Sequence, residues 1–370
     1  MNDLVHNPGE DTYWMQRALE LARRGIAVSS PNPAVGCVIV KQARIVGRGW
    51  TGTGGRPHAE TVALAQAGDH ARGATAYVTL EPCAHHGQTP PCADALVRAG
   101  VARVVGAVVD PDPRVAGAGF ARLESAGIFV TRGMLEVEAR ALNLGFFKRV
   151  TESRPLVALK IAQSADGYVA DAKGNSKWIT GERARAHGHL LRARHDAILI
   201  GIGTALADDP LLTCRLPGLG RVSPLRVVLD SNLRLPGTSQ LAQTASAHPV
   251  IVFTTSQTGG DGLRAAGVEI ERVAADESGR PDIASVLQRL AARGLTRLLV
   301  EGGPRIQAAF LQRNLADAIH LYRAPLLMGA GGIPAIAPFG HADIGTAPRL
   351  TLVERTLLGP DVLESFTSTV

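Results

Sequence analysis

The sequence is poor in cysteine, in aromatic residues and in long apolar runs. Its 370 residues contain only four cysteines, too few for the disulfide framework of a small secreted protein. The apolar run Ala197–Leu206 is shorter than the roughly 20 residues of a membrane-spanning helix, and Asp208 and Asp209 follow it. The N-terminal residues contain no apolar core of a signal peptide. We therefore expect a cytoplasmic protein with no membrane partner.

The positive net charge lacks the pattern of a nucleic-acid-binding surface. The charge is +6, but the Lys and Arg residues are scattered, and aromatic residues that stack on bases make up only 4%. A phosphorylated small substrate explains the same excess, so we expect no nucleic-acid partner. A zinc-stabilised RNA-binding protein is the alternative. Heparin retention that collapses with modest salt would favour it.

Two successive stretches of alternating strand and helix patterns divide the chain. A length of 370 residues is long for one domain and sufficient for two. Residues 1–150 predict a mostly parallel sheet with helices on both faces, and the last helix is predicted from Glu136 to Lys148. The polar segment Thr151–Pro155 predicts a linker, after which the alternation starts again in residues 151–370. Both halves are therefore predicted to be α/β domains.

His58, Cys83 and Cys92 are residue types that bind zinc. One imidazole and two thiolates supply three ligands and leave the fourth tetrahedral position open for water, as in catalytic zinc sites. Glu60, two residues after His58, is a carboxylate that can shuttle the proton of this water. A lone His-x-Glu is common by chance, whereas two Pro-Cys pairs nine residues apart are much rarer. Together they are typical of zinc nucleobase and nucleoside deaminases.

The prolines beside these ligands predict two helix starts. Pro57 and Pro91 both suit the first position of a helix. This would place His58 and Cys92 in first turns, where free N–H groups and the helix dipole favour a thiolate. Eight residues separate the two cysteines, whereas deaminases usually end in Pro-Cys-x-x-Cys.

Several segments of the first half resemble the deaminase of riboflavin biosynthesis. They are Pro31–Gly36, Pro57–Glu60, Thr79–Cys92, Asp110–Pro113 and Val115–Gly117. The resemblance implies a three-layer α/β/α, cytidine-deaminase-like domain with one zinc ion per chain. It also implies the roles of six residues: His58, Cys83 and Cys92 as zinc ligands, Glu60 as proton shuttle, and Asn32 and Asp110 as contacts of the pyrimidine.

Two positions depart from the pattern of this family. Gln88 stands where a basic residue is common, and Asp112 where Asn is common. Both changes affect expected contacts to the ribose phosphate and neither affects the metal. We interpret His85 and His86 as loop residues that shape the pocket, because a fourth protein ligand would close the zinc site.

In the second half, a glycine-rich turn predicts a phosphate site. Val300–Pro304 ends a strand and opens a helix, so that backbone N–H groups face a ligand. It lacks the G-x-G-x-x-G fingerprint of a Rossmann fold, and a Gly-Gly turn at this point is often only a tight turn. Without further information, binding of a dinucleotide therefore stays open.

Further segments resemble the reductase of the same pathway. They are Lys160–Gly167, Ser176–Thr180, Gly203–Pro210, Leu212–Thr213 and Glu301–Pro304. The resemblance implies a dihydrofolate-reductase-like α/β domain that uses NADPH. By motif position, the residues that face the cofactor are Ala162, Trp178, Thr204, Asp208, Ser231, Gly303, Pro304 and Arg305. Those that face the substrate are Ser176, Arg192, Leu212, Arg215 and Glu301.

Two pairs of polar residues in this half are candidates for phosphate binding and for proton donation. Arg192 and Arg215 suit a ribose phosphate as guanidinium forks, although without the resemblance each would be interpreted as a solvated charge. Lys160 and Asp208 are candidates for the proton donor of the reductase.

The resemblance extends from about Tyr13 to about Gly332 and implies a bifunctional enzyme of riboflavin biosynthesis. Its first reaction would be zinc-dependent deamination of a phosphoribosylated diamino-pyrimidinone, and its second would be NADPH-dependent reduction of the ribosyl group to ribityl. The alternative is a tRNA or nucleoside deaminase with an unrelated C-terminal domain. The spacing of the cysteines and the motifs around Trp178 and Glu301 count against it. We expect a homo-oligomer.

Overall fold

The computed structural model describes residues 8–26, 28–85, 90–113, 115–340, 343, 345 and 347–368. The chain separates into two compact units, Met1–Arg154 and Pro155–Val370, which we call unit 1 and unit 2. The predicted linker Thr151–Pro155 is partly helical, because the last helix of unit 1 continues to Glu152. In the described ranges, no helix combines the length and the apolar character needed to cross a bilayer.

Unit 1 is built on a five-stranded sheet with the order β2-β1-β3-β4-β5. Strands β3, β4 and β5 are parallel, whereas β1 is antiparallel to both β2 and β3. Four of the five strands run in one direction and β1, which forms a hairpin with β2, runs against them, so the prediction of a mostly parallel sheet is confirmed. Its helices and strands are α1 Pro8–Ala22, β1 Gly36–Lys41, β2 Arg44–Trp50, α2 Ala59–Ala67, β3 Thr75–Val78, α3 Cys92–Arg98, β4 Arg103–Gly106, α4 Ala118–Ser125, β5 Phe129–Thr131, α5 Glu136–Leu142 and α6 Leu144–Glu152.

Glycines in the hairpin show that α1 and α2 cover opposite faces of this sheet. A Cβ on Gly36 would lie 1.9 Å from the carbonyl oxygen of Ala18 in α1. Gly49 pairs with Cys37, the next residue of β1, and its Cβ would lie 2.4 Å from the carbonyl oxygen of Ala59 in α2. Successive strand residues point to opposite faces, so the two helices lie on different sides. The predicted α/β/α layering is confirmed.

The single helix predicted from Glu136 to Lys148 is wrong, because the chain forms α5 and α6 with a break at Asn143. The side chain of Asn143 accepts a hydrogen bond from the amide of Ala34 at 2.8 Å and donates one to its carbonyl oxygen at 3.0 Å. These partners lie 109 positions away in the sequence. A local helical pattern cannot reveal such a long-range contact.

Unit 2 is built on a nine-stranded sheet with the order β11-β10-β9-β8-β12-β6-β13-β16-β15. The first seven strands are parallel, and β16 is antiparallel to β13 and β15. The helices and strands are β6 Leu156–Ser164, β7 Tyr168–Ala170, α7 Glu182–Ala193, β8 Ala197–Gly201, α8 Ile202–Asp208, β9 Leu225–Leu229, α9 Gln240–Gln243, β10 Val250–Thr254, α10 Asp261–Ala265, β11 Glu269–Arg272, α11 Ile283–Ala292, β12 Arg297–Val300, α12 Pro304–Gln312, β13 Ala318–Ala324, β14 Ile333–Pro334, β15 Leu350–Leu358 and β16 Asp361–Ser368.

The predicted α/β class is confirmed for unit 2 as well, but the strands after residue 312 were not identified from the sequence. The strand β15 lies at the sheet edge with mostly exposed side chains, so no buried apolar run marks it. The central strands β9, β8, β12 and β6 are adjacent and parallel. Their carboxyl ends therefore open at one edge of the sheet, where α/β proteins bind ligands.

Candidate active sites

His58, Cys83 and Cys92 come together in unit 1. The Nδ1 atom of His58 lies 3.2 Å from Sγ of Cys92 and 3.7 Å from Sγ of Cys83. All three ligand atoms lie within 4.8 Å of one another. Tetrahedral zinc, with bonds of about 2.3 Å to sulfur and about 2.0 Å to nitrogen, separates its ligand atoms by about 3.5–3.8 Å. The donor set and its spacing therefore fit zinc with one position left open.

Both helix starts lie at the metal site, but the prolines do not occupy the predicted positions. His58 is the N-cap of α2, so Pro57 lies before the cap. Pro91 is the N-cap of α3, and Cys92 is its first residue. The prediction of Pro57 and Pro91 at first helical positions is therefore wrong, while the ligands still lie where N–H groups and the helix dipole favour negative charge.

Glu60 lies in the first turn of α2 and is only 4% exposed. Burial, and next the charge of Cys83, raise the pKa of its carboxyl group to about 7. A hydrogen bond from the Cys92 thiol lowers the pKa of Cys83 to about 4 and raises the pKa of Cys92. The cluster thus already favours one thiolate, and Glu60 can accept and release a proton near neutral pH.

The two predicted pyrimidine contacts lie on loops of unit 1. The Nδ2 atom of Asn32 donates to the carbonyl oxygen of Gly54 at 3.1 Å, in the turn that leads to His58. A Cβ on Gly55 would lie 2.1 Å from this Nδ2 atom, so the packing requires glycine. Asp110 follows β4, and burial raises the pKa of its carboxyl group to about 6. As substrate contacts, both stay predictions.

Of the two residues that depart from the family pattern and the two loop histidines, the structure describes Asp112 and His85. The amide of Asp112 donates to Oδ1 of Asp110 at 2.8 Å, so Asp112 helps to shape this loop. His85 is exposed and does not belong to the metal-ligand cluster. His86 and Gln88 lie outside the described residues.

Sequence reasoning missed Glu81, which lies two residues before Cys83. Its side chain is buried, with 4% exposure, and accepts hydrogen bonds from four backbone amides of residues 110–120. An acidic residue three positions after a buried strand was the available signal, because a buried carboxylate must have partners.

A cavity of about 1920 Å³ lies at the carboxyl ends of the central strands of unit 2. All eight residues predicted to face the cofactor line it: Ala162, Trp178, Thr204, Asp208, Ser231, Gly303, Pro304 and Arg305. Four residues predicted to face the substrate also line it: Ser176, Arg192, Arg215 and Glu301. Leu212 does not, because its side chain is buried with 3% exposure.

The glycine-rich turn brings the start of α12 to this cavity. A Cβ on Gly302 would lie 2.6 Å from the Cα atom of Ile200 in β8, so the close approach of this turn to β8 requires glycine. The amide of Gly303 donates to Oγ1 of Thr204 at 2.9 Å, and Pro304 is the first residue of α12. The helix N-terminus therefore faces the cavity, a geometry that suits a phosphate.

A buried ion pair lies beside this turn. The Nε and NH2 groups of Arg192 donate to the two carboxylate oxygens of Glu301 at 2.8 and 2.9 Å. The Nζ atom of Lys160 lies 3.5 Å from Oε2 of Glu301. Burial acts to raise the pKa of Glu301, but the charges of Arg192 and Lys160 lower it to about 2. Arg192 is thus bound bidentately by Glu301, and its contact with a substrate phosphate stays a prediction.

The other cavity residues have more open surroundings. Arg215 is exposed, and no carboxylate is paired with its guanidinium group in the described part of the chain. Trp178 is 73% exposed, and the guanidinium of Arg185 lies 4.4 Å from its ring centroid. Ser176 donates to Oδ1 of Asp208 at 3.5 Å. Arg215 therefore has the more accessible guanidinium group, and a phosphate fork at Arg192 and Arg215 stays a prediction.

Two family models match the chain, one in each unit. Residues 8–108 match the cytidine and deoxycytidylate deaminase zinc-binding region. Residues 155–363 match the RibD C-terminal domain. The second match excludes the alternative of a nucleoside deaminase with an unrelated C-terminal domain.

Individual relatives resemble the chain over almost its whole length. The riboflavin biosynthesis protein RibD of Escherichia coli is 42% identical over 95% of this chain and 98% of that protein. The RibD of Aquifex aeolicus is 41% identical over 96% and 98%.

Solved structures of related proteins also match the chain over almost its whole length. The structure of RibD from Acinetobacter baumannii matches with a TM-score of 0.89 and 41% identity, covering 98% of this chain and 100% of that one. A diaminohydroxyphosphoribosylaminopyrimidine deaminase and 5-amino-6-(5-phosphoribosylamino)uracil reductase from Thermotoga maritima matches with a TM-score of 0.87 and 36% identity, covering 98% and 100%. With a zinc-binding deaminase region before its reductase domain, the chain belongs to the RibD family, the bifunctional deaminases and reductases of riboflavin biosynthesis.

Proposed function

We propose that unit 1 deaminates a phosphoribosylated diamino-pyrimidinone and that unit 2 reduces the ribosyl group of the product to ribityl. We assign the two reactions to the compact units Met1–Arg154 and Pro155–Val370, and the domain boundary at residue 150 stays a prediction. The observation that carries the proposal is the convergence of three zinc ligands beside a buried Glu60. The homo-oligomer and the cytoplasmic location stay predictions.

In unit 1, His58, Cys83 and Cys92 would hold one zinc ion per chain. When bound, zinc lowers the pKa of a coordinated water from about 15.7 to about 7. Glu60 accepts a proton from the attacking water and delivers it to the amino nitrogen that leaves. Oxygen becomes bonded to the amino-bearing carbon, the carbon–nitrogen bond breaks, and ammonia is released. A pKa near 7 suits Glu60 to both transfers.

The proposed contacts of the pyrimidine are an amide and a carboxylate. Asn32 offers a carbonyl oxygen as acceptor, because its Nδ2 group already donates to Gly54. Asp110 offers carboxylate oxygens to ring N–H or amino donors. Burial of Asp110 strengthens such a hydrogen bond, because water competes less for it.

In unit 2, the start of α12 and the residues around Thr204 and Ser231 would hold NADPH. When bound, NADPH supplies the hydride. The ring-opened imine form of the sugar is the suitable acceptor, and the imine nitrogen then takes a proton. Of the two candidate donors we choose Lys160, because its Nζ atom lies 3.5 Å from Oε2 of Glu301, one of the residues proposed to face the substrate, whereas Asp208 is proposed to face the cofactor. Arg215 would bind the phosphate.

Mass analysis of the products with and without NADPH tests this order of reactions. Without NADPH, we expect ammonia and a product in which oxygen replaces the amino group. With NADPH, we expect the same product with two additional hydrogens. Reduction without deamination, or no ammonia release from zinc-loaded protein, would contradict the proposal.

We expect Cys83→Ser to lose both zinc and deamination, because a serine hydroxyl does not replace a thiolate as a zinc ligand. Metal analysis and ammonia release measure the two effects. The matched control is Cys214→Ser, since Cys214 is a buried cysteine of unit 2 and should leave the zinc content unchanged. Full zinc content in Cys83→Ser would place the metal elsewhere.

A further inference from the structure

Glu81 holds together the loop that carries Asp110. Its carboxylate is 4% exposed, and its partners among the described residues are backbone amides. The amides of Asp110 and Gly117 donate to Oε2 at 3.2 and 2.9 Å, and those of Gly119 and Phe120 donate to Oε1 at 2.8 and 3.3 Å. One side chain therefore binds the loop between β4 and α4 at Asp110 and again where α4 begins.

This carboxylate also caps α4. The N-cap residue of α4 is Gly117, which has no side chain to accept a hydrogen bond from the first turn. Gly119 and Phe120 lie in that turn, where amides have no partner within the helix. The negative charge of Glu81 at a helix N-terminus is favourable as well. A cap normally provided by a neighbouring residue thus comes from a residue next to the metal site.

The start of α4 lies directly against the metal-binding segment. A Cβ on Gly119 would lie 1.9 Å from the carbonyl oxygen of Pro82, so only glycine permits this approach. The amide of Glu81 itself donates to the carbonyl oxygen of Val108 at 2.9 Å. The segment that precedes Cys83 and the segment that carries Asp110 are therefore joined through both backbone and side chain.

We propose that Glu81 is a positioning residue of the deaminase, which fixes Asp110 relative to the zinc ligand Cys83. The inference rests on the proposed contact between Asp110 and the pyrimidine. A carboxylate is required because it accepts four hydrogen bonds, whereas the NH2 group of glutamine would face two of the amide donors. Loss of these bonds releases the loop and not the metal.

The variant Glu81→Gln tests this role. We expect it to retain zinc and the reductase activity, and to lower kcat/KM of deamination by about 10- to 100-fold, the usual effect of removing a supporting hydrogen-bond partner of a site. The loss should appear mainly in KM, because the loop binds the substrate. Glu124→Gln is the matched control, since Glu124 lies on the exposed side of α4 and pairs with Arg132.

A double-mutant cycle with Asp110→Ala distinguishes a failure of the inference about Glu81 from a failure of the proposed contact between Asp110 and the pyrimidine. If Glu81 acts through Asp110, adding Glu81→Gln to Asp110→Ala should lower kcat/KM little further. Additive losses, or loss of zinc in Glu81→Gln, would overturn the inference. Normal deamination by Asp110→Ala would instead refute the proposed pyrimidine contact, irrespective of Glu81.

Hydrogen exchange of the unaltered chain keeps the inference testable if Glu81→Gln does not fold. The amides of Gly117, Gly119 and Phe120 should be protected before any substrate is added, because Glu81 already binds them. Rapid exchange of these amides in the zinc-loaded chain would show that the loop is not held, and the inference would fail.

Discussion

Glu60→Gln is expected to keep its zinc and to lose deamination by about 10²–10⁴-fold, the usual contribution of general acid–base catalysis. Glutamine has nearly the same shape as glutamate but cannot accept the proton of the attacking water. Glu60 is not one of the three ligands, so the metal should remain. Metal analysis and ammonia release on the same sample measure both effects. Normal ammonia release from zinc-loaded Glu60→Gln would remove Glu60 from the mechanism.

The control for this prediction is the reduction reaction proposed for unit 2. Because the residues proposed for reduction all lie in unit 2, Glu60→Gln should reduce the already deaminated substrate at the normal rate. Arg215→Ala is the reciprocal variant and should weaken substrate binding to the reductase by about tenfold or more, the effect of losing a charge-assisted hydrogen bond. If either substitution abolished both activities in folded protein, the two sites would not be independent.

The zinc site could be predicted from the sequence because each ligand lies in a short local motif. His58 and Cys92 lie at helix starts, and Cys83 lies just after a strand. Glu81 belongs to the same motif, yet its role was missed. Its partners lie about 30 to 40 positions further along the chain, and only the fold brings them together.

The residues predicted for the reductase site line one cavity except for Leu212, and the side chains of Arg192 and Leu212 have other surroundings than the resemblance implied. The resemblance identified motif positions and could not show which arginine was free. Arg192 is bound by Glu301, 109 positions away, whereas Arg215 is exposed. Leu212 lies in the expected segment with its side chain in the core. Motif position thus brought twelve of the thirteen residues to one cavity, and packing decided the direction of each side chain.

Glu301→Gln is the second substitution with a large expected effect, because it leaves buried cations without their carboxylate. The side chains of Arg192 and Lys160 are only 15% and 21% exposed. Removing one partner of a buried pair costs about 3–5 kcal/mol in the free energy of unfolding. Hydrogen exchange of the β12 segment in the full chain measures this loss in unit 2. We also expect reduction to be lost, because Lys160 and the proposed substrate site depend on this carboxylate.

The control is Glu269→Gln, which removes an exposed pair with Arg293 and should change the free energy by less than about 0.5 kcal/mol. Adding Arg192→Met to Glu301→Gln should restore part of the stability, since it removes the unpaired charge. A Glu301→Gln chain as stable as the unaltered one at neutral pH would contradict the prediction.

The acid dependence of stability gives an independent test of the same ion pair. The pKa of Glu301 is lowered to about 2 in the folded chain, below the ordinary value of about 4.3 that applies after unfolding. A lowered pKa means that the unfolded state binds the proton more readily, so the stabilisation is complete above about pH 4.3 and is lost as the pH falls towards 2. The free energy of unfolding of unit 2 should therefore fall more steeply across this range in the unaltered chain than in Glu301→Gln. Equal slopes would show that the carboxylate of Glu301 is not held by Arg192 and Lys160.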